Sequence, residues 1–263
     1  MGIYMKKCIK VCSVLSLLVV LVALITALCT FSFAATTEAT LTVTPEGGET
    51  ETFSGTYQEM DTKVRGYLSA SPTVKTEYVI KLNSNAVMTK AGSWNGNENC
   101  FVTVDLNGYT FDVSSINSNI YLLAGSVNFT LDGANDKGEP GKIINNGLAG
   151  GIIYVQNKAA NAGVVATISD LEYVATNMAQ GYAVVDNPNK SEYPNQPMCH
   201  LNVGELTMKN VKMVYTGENA KAVEGSEGSP NGDITVMKMR FIQCNSGKLT
   251  VENCQFIDPT PRA

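Results

Sequence analysis

A short pattern of threonine, an apolar residue, a polar residue and then Asn, Asp or Gly recurs along this chain at irregular intervals. Its threonines are Thr103, Thr130, Thr167, Thr207 and Thr250, of which the first belongs to a looser copy. Repeats of this kind constrain the fold more than any single residue does, because each copy needs its neighbours to bury its apolar side. The pattern predicts many short β-strands stacked as a solenoid.

The pattern also predicts which side chains face the core, because successive side chains of a strand point to opposite faces. The apolar residues that flank each threonine would face inward, and the threonines would form an outer ladder. A residue that tolerates left-handed backbone follows in three copies: Asp170, Asn210 and Asn253. We expect a corner there, after which the strand resumes. Stacking would also place Lys209 beside Glu252 and Glu172 beside Lys212 as exposed ion pairs.

Residues 1–34 have the parts of a secretory signal peptide. Three lysines in the first ten residues precede an apolar stretch from Val11 to Ala27, and Ser32-Phe33-Ala34 has small residues where a signal peptidase requires them. We therefore expect export and cleavage after Ala34. The alternative is an uncleaved membrane anchor, because the apolar stretch approaches the roughly 20 residues that span a bilayer.

Cleavage would leave 229 of the 263 residues, with 16 Lys and Arg against 24 Asp and Glu, a net charge of −8. Such an acidic protein is a poor partner for nucleic acid or anionic membrane and suits a soluble extracellular protein. Four cysteines would remain, too few for a disulfide scaffold in a chain of this length: Cys100, Cys199, Cys244 and Cys254. A disulfide between Cys100 and Cys199 stays open.

The rest of the chain divides into three parts by composition. Residues 35–53 are rich in Thr, Glu and Gly and predict a linker, or an edge strand near Leu41–Val43. Residues 54–75 contain apolar positions at helical spacing, which predicts a helix over 56–69 with Ser54 or Thr56 as its N-cap. From residue 76 to 263, Gly- and Asn-rich turns separate short apolar runs, as expected of many strands.

Three runs carry a resemblance to a known family: Val104–Tyr109, Leu131–Gly133 with Gly141–Asn146, and Gly150–Tyr154. They resemble the rungs of right-handed parallel β-helix proteins of the pectin-lyase-like group. The resemblance covers about residues 78–258, and the helix is similar to the N-terminal cap of that group. It implies an all-β fold, a right-handed parallel β-helix with a short N-terminal capping α-helix.

The resemblance leaves activity open, because the same rungs occur in lyases, glycosidases, adhesins and surface proteins without activity. In that family the site usually lies on the strand before the threonine strand. We expect those strands at Tyr121–Leu123, Ile152–Val155, Val184–Asp186 and Lys238–Arg240, which contain almost no acids. We assign no catalytic residue; the weak candidates are Asp105, Asp132, Asp186 and Arg240.

Metal and thiol sites are equally weakly indicated. Asp132, Asp136 and Glu139 could ligate calcium, but Ala134 and Lys137 stand where a calcium loop needs other residue types, and a turn explains the segment as well. We therefore assign no cofactor. The Cys199-His200 pair does not form a site, because neighbours in a strand point to opposite faces. Cys254 is expected to face inward as a buried thiol.

Aromatic residues are the best candidates for binding a sugar ring: Trp94, Tyr121 and Tyr154. The alternative for Trp94 is that it covers the end of the core. We therefore expect a secreted or cell-surface protein, bacterial by its signal, that is a non-catalytic structural or adhesive module and contacts extracellular or cell-wall glycans. The alternative is a polysaccharide lyase or glycoside hydrolase of the pectin-lyase-like group.

The end of the sequence carries one more expectation. Cys254–Ile257 completes a repeat, and residues 258–263 are too short to cover it. Exported proteins normally cover an exposed strand edge. We expect either that the chain is a fragment of a longer protein, the interpretation we favour, or that its end pairs with another chain.

Overall fold

The computed structural model describes residues 37–116, 118–146, 151–176, 198–216 and 241–258, and the backbone of two further strands at 182–185 and 236–239. Three expectations on other residues lie outside this part of the chain: the signal peptide, Asp186 and Arg240. The described chain is mostly β, with parallel sheets and one α-helix. This agrees with the all-β class.

The chain begins with an antiparallel pair, β1 (Ala39–Pro45) and β2 (Glu51–Gly55). β1 alternates buried and half-buried residues and also pairs antiparallel with the next strand, β3 (Thr76–Leu82). A strand therefore lies near Leu41–Val43 as predicted, but it is not an edge strand, because β1 is paired on both sides. β2 forms the edge instead.

The α-helix, α1, spans Tyr57–Ser69, close to the predicted 56–69. Thr56 is its N-cap, and it forms a capping box with Glu59: the Thr56 hydroxyl accepts from the Glu59 N–H, and the Glu59 carboxylate accepts from the Thr56 N–H. Apolar residues at helical spacing are buried as predicted: Tyr57, Met60, Val64 and Leu68. α1 packs on β1, β3 and the strand β5 described below.

Most strands belong to one twelve-stranded sheet, sheet 1. Its β1–β2 and β1–β3 pairs are antiparallel, and all of its other pairs are parallel. Besides β1 to β3, it contains β4 (Ala86–Val87), β6 (Cys100–Asp105), β7 (Thr110–Asp112), β9 (Asn128–Asp132), β10 (Gly141–Asn145), β12 (Val165–Ala175), β15 (Glu205–Tyr215), β18 (Lys248–Glu252) and β19 (Gln255–Ile257). β12 pairs with β9 along its first half and with β10 along its second.

A second sheet, sheet 2, has five parallel strands. They are β5 (Gly92–Gly96), β8 (Tyr121–Gly125), β11 (Ile153–Val155), β14 (Cys199–Leu201) and β17 (Ile242–Cys244). Each of these strands precedes a threonine-bearing strand of sheet 1 along the chain. A short 3₁₀ helix at Ala159–Asn161 lies between β11 and β12. The inward side chains of both sheets belong to one hydrophobic core.

The strands that precede the threonine strands were predicted correctly in two of four cases. β8 and β11 match Tyr121–Leu123 and Ile152–Val155. The other two predictions are wrong: β13 (Tyr182–Val185) and β16 (Val236–Met239) pair antiparallel with each other, outside sheet 2. The strands of sheet 2 that precede Thr207 and Thr250 are instead β14 and β17, which extend the sheet beyond β11.

The repeated threonines form the predicted ladder. Adjacent parallel strands place them in direct register: Thr103, Thr130, Thr167, Thr207 and Thr250. The three predicted corner residues adopt positive φ angles of 50–54°: Asp170, Asn210 and Asn253. Their side chains are bonded to each other, since the Asn210 amide donates to Asp170 at 2.7 Å and the Asn253 amide donates to Asn210 at 2.8 Å.

One of the two predicted ion pairs forms. Lys212 Nζ lies 2.8 Å from Glu172 Oε1, and Lys142 Nζ approaches the other carboxylate oxygen at 3.6 Å. The hydrogen bond from Lys212 lowers the pKa of the Glu172 carboxyl. Lys209 and Glu252 are opposite each other in the strand register, but the ion pairs of the described residues do not include them.

The cysteines described by the structure are free thiols. Cys100 begins β6, in the same repeat as β5, and Cys199 begins β14, which lies three strands from β5 in sheet 2. Three strand spacings amount to about 14 Å, whereas the Cα atoms of a disulfide lie within about 7 Å of each other. The open Cys100–Cys199 disulfide is therefore excluded.

Within the described residues, no helix has the length and apolar character needed to cross a membrane.

Candidate functional site

The outer surface of sheet 1 carries the two catalytic candidates that the structure describes. Asp105 and Asp132 stand opposite each other on the adjacent strands β6 and β9, one position after the apolar residue that follows the threonine. The same row continues with Lys81 on one side and with Ser169 on the other. The register therefore brings two carboxylates into neighbouring positions, which the sequence did not predict.

Each of these carboxylates is bonded to its own strand end. Asp105 Oδ1 accepts from the Asn107 N–H at 2.7 Å, and its other oxygen lies 3.4 Å from Lys81 Nζ. Asp132 Oδ1 accepts from the Ala134 N–H at 3.3 Å and from the Ser169 hydroxyl at 3.1 Å. A carboxylate that accepts the N–H two residues later closes an Asx turn. Both aspartates thus hold the turns that end β6 and β9.

The loop that follows Asp132 is built around one asparagine. Asn135 Oδ1 accepts from the N–H groups of Lys137 and Glu139, at 2.9 and 3.0 Å. The Asn135 amide also donates to Glu139 Oε2 at 2.7 Å. Asp136 is exposed at the tip of this loop. These contacts are those of a turn between strands, which was the alternative interpretation of Asp132–Glu139. Among the described residues, no three His, Cys, Asp or Glu side chains are arranged for a metal ion.

Two of the three aromatic candidates are inside the core. Trp94 and Tyr121 are both fully buried, with ring centroids 5.2 Å apart in an edge-to-face arrangement. Trp94 lies on β5, in register with Leu123, and not in a loop. The expectation that these two rings bind a glycan is wrong, because a sugar cannot reach either ring without opening the core. The alternative, that Trp94 belongs to the core, agrees with the structure.

A buried polar network joins α1 to sheet 2, and the sequence did not predict it. The Asp61 carboxylate is fully buried and accepts from Trp94 Nε1 at 2.9 Å, while Arg65 Nη2 lies 2.7 Å away. The hydroxyls of Tyr57 and Tyr121 are 2.8 Å apart. Burial raises the pKa of the Asp61 carboxyl, and the Arg65 guanidinium partly offsets that increase.

The signal for this network was present in the helical pattern. Asp61 falls at the i+4 position from Tyr57, within the stripe that faces the core, and Arg65 follows at i+4 from Asp61. An acid within an apolar stripe needs a buried partner, because an unpaired buried charge is costly. The network ties the helix to the first strand of sheet 2, which is a structural role.

Tyr154 is the aromatic candidate with an outward position. It lies on the outer face of sheet 2, half-buried, in register between Leu122 and His200. Its ring packs edge-on against the His200 imidazole, with centroids 5.0 Å apart. Contact of Tyr154 with a glycan stays a prediction.

The thiol candidates also have structural positions. Cys199 is fully buried and His200 points to the other face, as expected from strand alternation. Burial raises the pKa of the Cys199 thiol to about 12, so the thiol is protonated at neutral pH. Cys254 packs against the core but is only half-buried, because no described strand lies beyond it.

Comparison of the chain with models of protein families, with curated proteins and with solved structures gives no significant match.

Proposed function

We propose that this chain is a secreted or cell-surface right-handed parallel β-helix that acts as a non-catalytic structural or adhesive module and contacts glycans. The fold proposal is supported by the chain path, which passes from sheet 2 to sheet 1 in each repeat and returns one strand further along. Each return is a crossover between parallel strands, and such connections are right-handed in about 98% of cases. Export is supported by the sequence of residues 1–34.

One observation carries the non-catalytic part of the proposal: the described acidic candidates are used by the fold itself. Asp105 and Asp132 close Asx turns, and Glu139 is bonded to the asparagine that organises its loop. A general acid or nucleophile needs a carboxylate directed at substrate. In these residues the carboxylates are directed at neighbouring backbone and side chains.

The glycan part of the proposal depends on the outer face of sheet 2. Tyr154 is placed there with part of its ring accessible, while Trp94 and Tyr121 are enclosed. An aromatic ring that combines an apolar face with a polar hydroxyl suits the mixed surface of a sugar. A row of outward side chains at strand spacing would contact an extended polymer at successive positions.

A binding assay on insoluble cell-wall polysaccharides tests this proposal. We expect the purified chain to co-sediment with at least one of them, and Tyr154→Ala to weaken binding about tenfold, a loss of about 1.4 kcal/mol. Phe101→Ala is the matched control, because Phe101 is a half-buried aromatic on the outer face of sheet 1. Binding that is absent, or that responds equally to both variants, contradicts the role of Tyr154.

The second candidate function, a polysaccharide lyase or glycoside hydrolase, is favoured by the adjacency of Asp105 and Asp132. Neighbouring carboxylates are the usual catalytic pair of glycosidases. Incubation with acidic and neutral polysaccharides, with and without calcium, separates the two functions. Product formation that is lost in Asp132→Asn and in Asp105→Asn would establish the enzyme and end the non-catalytic proposal.

A further inference from the structure

Three strands at one side of the two sheets form what we call the last edge: β17, β18 and β19. Among the described strands, β18 and β19 pair only with β15, and β17 pairs only with β14. The other side of sheet 1 differs, because β1 and β2 continue it beyond β3. Within the part of the chain that the structure describes, the outer side of the last edge therefore has no neighbouring strand.

Two large hydrophobic side chains at inward positions are exposed at this edge. Val251 is 42% exposed and Phe256 is 39% exposed, whereas their neighbours in the register, Met208 and Met213, are fully buried. The four residues occupy equivalent inward positions one strand apart. Val251 and Phe256 are exposed because no described strand follows them, and a partner that adds a strand would bury them.

The free hydrogen-bonding groups of β18 belong to two residues. The Lys248 N–H donates to the Gly204 carbonyl at 2.8 Å, on the side of β15. Backbone groups of successive residues in a strand point to alternate sides. Leu249 and Val251 therefore direct their N–H and C=O groups away from β15, where they can pair with another strand.

Two copies of β18 match in charge and in apolar residues when they run in opposite directions, because the sequence is Lys248-Leu249-Thr250-Val251-Glu252. An antiparallel pairing of two copies centred on Thr250 places Leu249 opposite Val251 of the second copy, so the free backbone groups of both meet. It also places Lys248 opposite Glu252 of the second copy, twice by symmetry. Opposite charges directly across antiparallel strands are stabilising.

Alternative registers lack this match. A shift by two residues preserves the backbone hydrogen bonds but places Lys248 or Glu252 opposite Thr250, so both ion pairs are lost. Lys248 lies 3.1 Å from Glu205 within its own chain, but both side chains are largely exposed and the pair is weak. Lys248 is thus available to a second acidic partner.

We propose that the last edge binds a second copy of this chain, with β18 of each copy paired antiparallel about a two-fold axis at Thr250. The interface is isologous, since the same five residues of each copy form it. The pairing extends sheet 1 from one copy into the other and covers Val251. This inference does not depend on the proposed function.

Two charge reversals test the pairing by sedimentation equilibrium of the purified chain. In Lys248→Glu, and separately in Glu252→Lys, both intermolecular ion pairs become repulsive, and we expect the dimer Kd to rise about tenfold or more. An equimolar mixture of the two variants restores opposite charges at both positions, so it should form a heterodimer with a Kd near that of the wild type.

Each charge reversal also faces a like-charged residue of its own chain, which is Glu205 in Lys248→Glu and Lys209 in Glu252→Lys. These contacts within a chain are the same in the mixture as in each variant alone. Recovery upon mixing can arise only between chains. Lys90→Glu is the control, an exposed lysine in the loop before β5. A wild-type chain that stays monomeric at about 100 μM, or a dimer that responds to none of these changes or equally to Lys90→Glu, overturns the proposal.

Discussion

The two sides of this molecule follow the same inward pattern but differ in what covers them. At the first side, β1 pairs with β3 and α1 packs on β5, and Leu41 and Trp94 have no exposed surface. At the last edge, Val251 and Phe256 occupy inward positions but are about 40% exposed. The difference shows that the burial of an inward side chain depends on the neighbouring strand or helix as well as on the residue's own strand.

The comparison also explains where polar groups are used. The covered side contains the Asp61–Arg65–Trp94 network, in which the buried carboxylate accepts from Trp94, Arg65 and Gln58. The last edge contains exposed lysine and glutamate side chains next to free backbone groups. A covered end can rely on buried contacts, whereas an open edge needs charges that select its partner.

The largest expected effect comes from deleting one aromatic side chain at each side. Trp94→Ala leaves a cavity in the core and should lower the free energy of unfolding by about 3–5 kcal/mol. Phe256→Ala should cost less than about 1.5 kcal/mol, because its ring is already partly in water. Urea unfolding followed by circular dichroism at low protein concentration measures both. Equal losses would mean that the last edge is covered as well.

The corner ladder gives the next effect. Asn210 is bonded to corner residues on both sides and has φ of 54°, whereas Asn253 is bonded on one side only. We expect Asn210→Ala to cost about 1–2 kcal/mol through backbone strain and lost bonds, and Asn253→Ala to cost less. Asn210→Gly, which tolerates positive φ, should recover the strain part. The thermal midpoints of the three variants rank these losses, and a cost of Asn253→Ala that exceeds that of Asn210→Ala is inconsistent with an open edge.

The helix cap gives a smaller effect on the covered side. Thr56→Ala removes the capping hydroxyl and should destabilise the protein by about 1 kcal/mol. Ser54→Ala is the matched control, because Ser54 is exposed on β2 and was the other cap predicted from the sequence. Its effect should be within about 0.5 kcal/mol. Chemical unfolding of the two variants is the test, and equal effects would contradict a stabilising role of the Thr56 cap.

The smallest effect concerns pH, because burial and Arg65 act on Asp61 in opposite directions. Its folded pKa is raised above that of the unfolded chain, so the folded state binds this proton more tightly. The stability contributed by this group is therefore present at low pH and is lost as pH rises through the folded pKa. In Asp61→Asn this loss should disappear. Unfolding midpoints of both proteins between about pH 3 and 7 measure it, and parallel curves would contradict the raised pKa.

Features set by local alternation and backbone preference were predictable from the sequence. The threonine register, the corners at Asp170 and Asn210, and the limits of α1 each depend on a few neighbouring residues. The strands of sheet 2 were harder to predict, because three-residue strands such as β14 carry too little alternation to distinguish them from β13. The strand of Trp94 is hard to recognise from the sequence because glycines form both of its ends, although the Trp94 side chain points into the core.

The candidate site was less predictable than the fold. Adjacency of Asp105 and Asp132 follows from the strand register, but the Asx bonds that occupy them depend on turn geometry. The helical pattern places Asp61 within an apolar stripe but does not identify the residue that its carboxylate contacts. Its partner Trp94 comes from a strand 33 residues away, and such a contact is set by tertiary packing.

Amide hydrogen exchange of β12 and β18 distinguishes an open last edge from a covered one, since both strands carry the same threonine pattern in one sheet. We expect β12 amides, paired on both sides, to exchange far more slowly than β18 amides in dilute protein. We also expect β18 protection to increase with protein concentration as the second copy binds. Protection of β18 that equals that of β12 and does not change with dilution would contradict an open last edge.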